Sequence, residues 1–172
     1  DEILGVVRET LPKPGPTLTC FGVDLLYEGL VLEIDGVAVL GGKRTDVAAP
    51  GSKDWMSIPG FAEGTRVGED VFIGGISAPG AASLIAQTEA SMERLLRVLA
   101  AARGEPEDLV KLNVYFKGEA AGETKDLEEI VRIVGEYLPS DRPVLSVVRV
   151  PGLPHDGQSV QIDALAVGKR HE

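Results

Sequence analysis

EEIVRIVGEYLPSDRPVLSVVRV, residues 128–150, reads as the end of an amphipathic helix, a proline-bearing turn and a β-branched strand, and it occurs twice. DEILGVVRETLPKPGPTLTCFGV, residues 1–23, lies over it without a gap at a constant offset. After a shift of one residue, Glu33-Ile34-Asp35-Gly36-Val37-Ala38-Val39 falls on Gln161-Ile162-Asp163-Ala164-Leu165-Ala166-Val167, and both copies then run into Gly-Lys-Arg. Self-similarity over a helix and two strands marks a duplicated fold unit. The second copy is preceded by a long stretch of its own, whereas the first starts at Asp1, inside what its twin marks as a helix. The expectation is one whole unit, residues 58–172, preceded by the back part of another, residues 1–44, with 45–57 as a linker.

Working outward from the repeat, residues 17–23 and 30–40 are β-branched and apolar stretches bounded by Pro and Gly, and they predict two strands joined by a turn near Glu28-Gly29. Residues 41–53 are polar and rich in Gly, Ala and Pro, as a linker should be. Short strands are expected over 64–67 and 71–75 around a Gly68-Glu69-Asp70 turn. Leu84, Thr88, Met92, Leu95, Leu96 and Leu99 recur at helical spacing, so one face of a helix over about 82–102 must be packed away, and the helix should stop at Gly104. Residues 109–116 alternate Leu, Lys, Asn, Tyr against Val, Leu, Val, Phe, the period of a strand with one buried face. A second helix is expected from Asp126, a candidate cap with Glu129 three residues on, carrying a stripe of Leu127, Ile130, Val131, Val134 and Leu138. Strands over 144–150 and 159–167, around a His155-Asp156-Gly157 turn, complete the order ββαβαββ, with an extra αββ in front.

Composition narrows the function. The chain of 172 residues has a net charge of −10 and no basic stripe, whereas nucleic-acid binding rests on clustered Lys and Arg releasing counterions from phosphate. No apolar run reaches the roughly 18 residues of a membrane span, and no signal segment is present. With one cysteine, Cys20, no disulfide can form within the chain, and a cytoplasmic location is expected. Cys20 sits in an apolar run and reads as a core thiol rather than a reactive one; its twin is Val147. His155 and His171 lack partners at metal-ligand spacing, and Trp55 reads as linker packing or as a pocket cover. The Gly-containing runs are not followed by the Gly-Lys-Ser/Thr start of a phosphate loop.

Pro59-Gly60-Phe61, then Gly68-Glu69-Asp70-Val71-Phe72-Ile73-Gly74-Gly75, Gln87-Thr88 in the helix, Asp108-Leu109-Val110-Lys111 entering a strand, Arg142 ahead of Val150-Pro151, and Ile162-Asp163-Ala164-Leu165-Ala166 together resemble the Rid family of reactive-intermediate deaminases, the YjgF-like proteins. The resemblance spans about residues 58–167 in full and 1–40 in part, and it rests on the order and spacing of these motifs rather than on any one of them. It implies an α/β (α+β) fold of the chorismate-mutase-like type, a mixed sheet with two helices on one face. It also implies trimeric or pseudo-hexameric assembly with pockets between subunits, hydrolysis of small carboxylated imines and enamines, and no metal or organic cofactor. Such chemistry asks for a cation to hold the carboxylate, backbone N–H groups to orient it, and an acid/base group to place and deprotonate water.

Carried over residue by residue, the resemblance makes Arg142 the carboxylate anchor, since a planar guanidinium suits bidentate capture; pairing with Asp141 is the other reading. Val144 stands in the same strand start and joins the substrate-binding set. Gln161 occupies the place of the family's water-positioning glutamate; an amide can orient a water but cannot take its proton. Gly74 or Gly75 replaces the serine of the usual Ser-Gly pair, and Phe61 stands where a tyrosine is common, as pocket wall or as core. In the partial copy Glu33 holds the glutamate position, or is a plain outward strand residue, and Gly15 the arginine position, so neither copy has both groups. The candidate catalytic residues are therefore Gln161 and Glu33, and the candidate substrate-binding residues Arg142, Phe61, Gly74, Gly75 and Val144.

Three functions follow: a divergent Rid-type hydrolase or deaminase for a small carboxylated imine, enamine or similar C=N compound; a catalytically idle metabolite-binding or scaffolding subunit; and a chorismate-cleaving relative. The acidic chain fits an endoribonuclease poorly. The start at Asp1 raises the expectation that the front of the first unit is a second polypeptide, left by cleavage of a tandem precursor; a trimmed sample is the other reading.

Overall fold

Alternation and helical periodicity translate directly into the complete unit. The structure, a computed structural model, describes residues 2–11, 13, 15–51, 58, 60–78, 80–118, 123–140 and 143–168. In chain order the elements are α1 (Glu2–Thr10), β1 (Gly15–Thr17), β2 (Arg44–Val47), β3 (Phe61–Ala62), β4 (Gly64–Val67), β5 (Asp70–Ile76), α2 (Leu84–Ala101), β6 (Leu109–Phe116), α3 (Glu123–Tyr137), β7 (Val144–Arg149) and β8 (Val160–Val167). A six-stranded sheet runs β2-β4-β5-β8-β6-β7. All its pairs are antiparallel except β6 with β7, which α3 joins as the crossover a parallel pair requires. From β4 to β8 this is the expected ββαβαββ order, a mixed α+β fold.

The two helices pack on each other, α2 lying against β5 and β8 and α3 against β7. Their apolar stripes close the core: Met92, Leu95, Val98 and Leu99 from α2, and Ile130 and Val134 from α3, meet Val71, Ile73, Leu112, Val114, Phe116, Ile162 and Ala166 from the sheet. Each of the Val, Leu, Ile, Met and Phe side chains among them contributes roughly 1.5–3 kcal/mol by leaving water. Ser83 caps α2, its Oγ accepting the Ala86 N–H, a bond that satisfies one of the helix's orphan donors. The helix ends where Arg103 turns left-handed (φ 62°) and the Gly104 N–H returns to the Leu99 carbonyl. Helix α3 begins at Glu123, so Asp126 lies within its first turns rather than at the expected cap.

The front of the chain departs from expectation. Of residues 17–23, only Thr17 belongs to a strand, β1, which runs parallel to β3; beyond it Gly22 makes a single bridge to Gly152. The turn near Glu28-Gly29 forms, with Gly29 at φ 81° and the Leu30 N–H bonded to the Tyr27 carbonyl. Residues 30–40 form no strand. The physical reason is partnership: the equivalent β8 is held between β5 and β6, and those edges are already filled by β8 itself. Residues 44–47, placed at the end of the partial copy and in the linker, instead form the edge strand β2 on β4; Arg44-Thr45-Asp46 gives no apolar alternation to announce it.

The twin positions Ile162 and Ile34 make a direct test, since Ile162 is fully buried and Ile34 mostly exposed. Ile162→Ala is expected to lower the unfolding free energy by about 2–5 kcal/mol, and Ile34→Ala to change it by less than about 0.5 kcal/mol, as read by denaturant titration of the purified chain.

Candidate functional site

The face of the sheet opposite the helices carries the candidate site. Along β5 the pairing with β8 slips between Ile73 and Ile76, so Gly74-Gly75 form a bulge, a device that re-aims backbone groups. The Gly74 N–H bonds to the Glu63 carbonyl (2.9 Å) and the Gly75 N–H to the Leu18 carbonyl (3.0 Å). Both glycines sit at close approaches. A Cβ on Gly75 would stand 2.4 Å from Cδ of Gln161, and one on Gly74 would stand 3.0 Å from the Leu18 nitrogen. Gly75 thus leaves room for the Gln161 carboxamide, and Gly74 for the backbone at Leu18.

A small recess opens beside the bulge, lined by Leu18, Ile58, Phe61, Glu63, Gly75 and Ser77 among others. Phe61 is half-buried and lines this recess. Gln161 is buried under the glycine bulge, and its Oε1 accepts the Cys20 N–H (3.3 Å). The structure therefore brings Phe61, Gly74, Gly75 and Gln161 together. It does not bring Glu33 or Val144 to them. Glu33 lies on the exposed, unpaired 30–40 stretch rather than on a strand. Val144 is exposed and stands opposite Lys111, whereas Gln161 stands opposite Tyr115, four residues and so about 13 Å along the sheet. Arg142, Asp141, Trp55, His171 and Asp1 lie outside the described residues.

Residues 15–22 form a strap over this face. Besides the bonds at Leu18 and Cys20, Thr19 bonds to Asp163, and Phe21 stacks on Tyr115 with ring centroids 4.2 Å apart. Asp163 also accepts from Asn113 Nδ2 (2.7 Å). Burial pushes the Asp163 carboxyl up from its ordinary value, against the opposing hydrogen bonds from Asn113, Thr19 and Tyr115 and the charge of Lys111. The Tyr115 phenol is pushed up to about 12, by burial first, then by Asp163 and by Asp35.

Two features escaped the sequence. Arg94, almost fully buried on α2, pairs with Glu63 (2.5 Å) and donates to the Pro50 carbonyl (3.1 Å), while Glu63 accepts the Ala49 N–H (3.1 Å). The pair ties the 49–50 loop to the back of the recess and engages both charges, so neither is a free anchor or base. The signal was there: Arg94 falls on the same helical face as Gln87, Ser91 and Val98, where an arginine needs a buried partner. The second is Ser77, whose buried Oγ has no hydrogen-bond partner among the described residues and which lines the recess. A hydroxyl in that state is a ready contact for a ligand or water. Among the described residues no His, Cys, Asp or Glu cluster could hold a metal.

Residues 56–168 match the family described as endoribonuclease L-PSP. The chain belongs to that family. The endoribonuclease L-PSP fold is also that of a Mycobacterium tuberculosis member of the YjgF/YER057c/UK114 family, at 25% identity and TM-score 0.62 over 73% of this chain and 99% of that one. A Pseudomonas aeruginosa protein of unknown function is 26% identical, with TM-score 0.62 over 73% and 93% of the two chains. Yeast Mmf1, at 19% identity, shares the fold with TM-score 0.60 over 74% of this chain and 100% of that one. No protein with a curated description matches the sequence.

Two outcomes are expected. Removing one partner of the buried pair, as Arg94→Leu, costs about 3–5 kcal/mol of stability, whereas Arg94→Leu with Glu63→Leu costs less than either single change; a double variant no better than the singles would sink the pairing. Because the folded Asp163 carboxyl is raised above its unfolded value near ~4, the folded state takes up the proton first. Stability referred to Asp163→Asn therefore increases as pH falls from 7 toward that unfolded value, and is lost again as pH rises through the folded pKa; urea unfolding at stepped pH reads it.

Proposed function

We propose that this chain is a divergent Rid-type hydrolase unit acting on a small carboxylated imine, enamine or related C=N compound. The observations that carry the reading are that Phe61, Gly74 and Gly75 line one recess and that Gln161 packs against Gly75 beside it. In this reading water adds across the C=N bond, its oxygen bonding to carbon. The C–N bond then breaks, and the nitrogen leaves as ammonia while the carbonyl forms. The Gln161 carboxamide orients the water, the Ser77 hydroxyl, without a partner among the described residues, contacts the polar end of the ligand, and Arg142 supplies the cation for its carboxylate. With an amide in place of a carboxylate, the proton of the attacking water passes to solvent, and the general-base share of the rate, about 10²–10⁴-fold, is forgone.

A second reading, a ligand-binding or scaffolding unit without turnover, is favoured by one specific observation. The Gly75 N–H and the Gln161 Oε1, two of the groups that would meet a ligand, are already bonded to Leu18 and Cys20 of the strap. Cleavage of RNA, the activity in the family's description, is disfavoured by a net charge of −10, which repels a phosphate backbone. No helix among the described residues is long and apolar enough to cross a membrane.

The test is ammonia release from imino acids generated in situ by an amino-acid oxidase. The hydrolase reading expects slow turnover, a KM raised about 10- to 100-fold in Arg142→Ala by loss of a charge-assisted contact, and a kcat raised toward 10²-fold in Gln161→Glu. No turnover in either the parent or Gln161→Glu, with ligand binding still detectable by calorimetry, would establish the second reading instead.

A further inference from the structure

The partial copy exposes what its twin buries. Ile3 is 48% exposed where Ile130 is 1%, Val6 is 60% where Ile133 is 0%, and Ile34 is 69% where Ile162 is 0%. In the complete unit those positions are covered by α2 and by the sheet, in which β5 and β6 hold β8 from both sides. In the partial unit α1 buries no residue, and no strand among the described residues pairs with 30–40. The row Leu32, Ile34, Gly36 and Ala38 repeats the helix-facing row Val160, Ile162, Ala164 and Ala166 of β8. The other row, Glu33, Asp35, Val37 and Val39, repeats Gln161, Asp163, Leu165 and Val167. A segment with apolar side chains in both rows is built for a central strand rather than an edge.

We propose that α1 and residues 30–40 form the docking surface for a ββαβ half-unit of this same fold, carried on polypeptide other than residues 1–172. Its two strands stand in the places of β5 and β6 on either side of 33–39, and its helix, in the place of α2, covers Ile3 and Val6. The surface is continuous with an interface already formed. The strap at 15–22 seats the partial copy on the complete sheet, and Asp35 lies close enough to Tyr115 for its charge to help raise the phenol. A second copy of this chain does not supply the partner, because its β5 and β6 already hold its own β8. The inference rests on packing and stands apart from the activity proposed above.

The experiment uses the protein isolated from its own host, with Ile34 replaced by a photo-crosslinking amino acid, and in parallel the unmodified protein in amide hydrogen exchange. The expected crosslink joins position 34 to a sequence that reads strand, strand, helix, strand, and the amides of 31–39 exchange on the order of 10²-fold or more slowly than open coil. Ile34→Asp should release the half-unit, while the unfolding transition of residues 44–168 stays where it was. Unprotected amides at 31–39, a crosslink to a second copy of this chain, or a crosslink to a sequence without that order of elements would each overturn the proposal.

Discussion

A strand that is apolar on both faces holds only when both of its backbone edges are paired and both faces covered. β8 meets that condition between β5 and β6, and from it follow the order of the sheet, the seat of α2 and the position of Gln161. Residues 33–39 carry nearly the same alternation and do not meet it, so they form no strand and stay exposed. The difference lies in what stands beside each copy, because β propensity is largely a statement about neighbours. The contrast separates the intrinsic tendency of a sequence from the tertiary pairing that realises it.

The same constraint shapes the candidate site. With β8 fixed, Gln161 projects onto the open face under the Gly74-Gly75 bulge, and the absence of side chains there lets the strap approach. Backbone groups left over by the bulge are taken by Glu63 and Leu18, so the recess is formed jointly by the complete unit and by the partial copy lying across it. Behind it the Arg94–Glu63 pair fixes the loop at Ala49-Pro50. A buried pair of this kind adds little net stability but penalises any arrangement that separates it, and so specifies how the 49–50 loop meets α2.

How much of this could be read beforehand depended on whether the signal was local. The unit from Gly64 to Val167 was legible because each element carries its own period: the stripe Met92, Leu95, Leu99 for a helix, the alternation of 109–116 for a strand. Candidate positions Phe61, Gly74, Gly75 and Gln161 were legible through family motifs. Their mutual dependence was not, since the clash between a side chain at 75 and the Gln161 carboxamide exists only in three dimensions. β2 was missed because Arg44-Thr45-Asp46 has no apolar rhythm and gains its order from β4. Residues 30–40 form no strand for the converse reason: the rhythm is present, but no strand among the described residues pairs with it. Arg94 carries no local mark of its pairing, because its partner Glu63 lies far from it in sequence.

The substitution at 161 also bears on where charge can reside. Gln161 and Asp163 are neighbours on one face of β8, about 7 Å apart by strand geometry, and Asp163 is already raised by burial. A second carboxylate at 161 would add like-charge repulsion to that desolvation, so the neutral amide spares the complete unit a buried acidic pair. The partial copy keeps both carboxylates, Glu33 and Asp35, in a stretch where solvent screens them. One carboxylate where the strand is buried and two where water reaches the chain follow from the same rule, that neighbouring like charges are tolerated only where solvent weakens their repulsion.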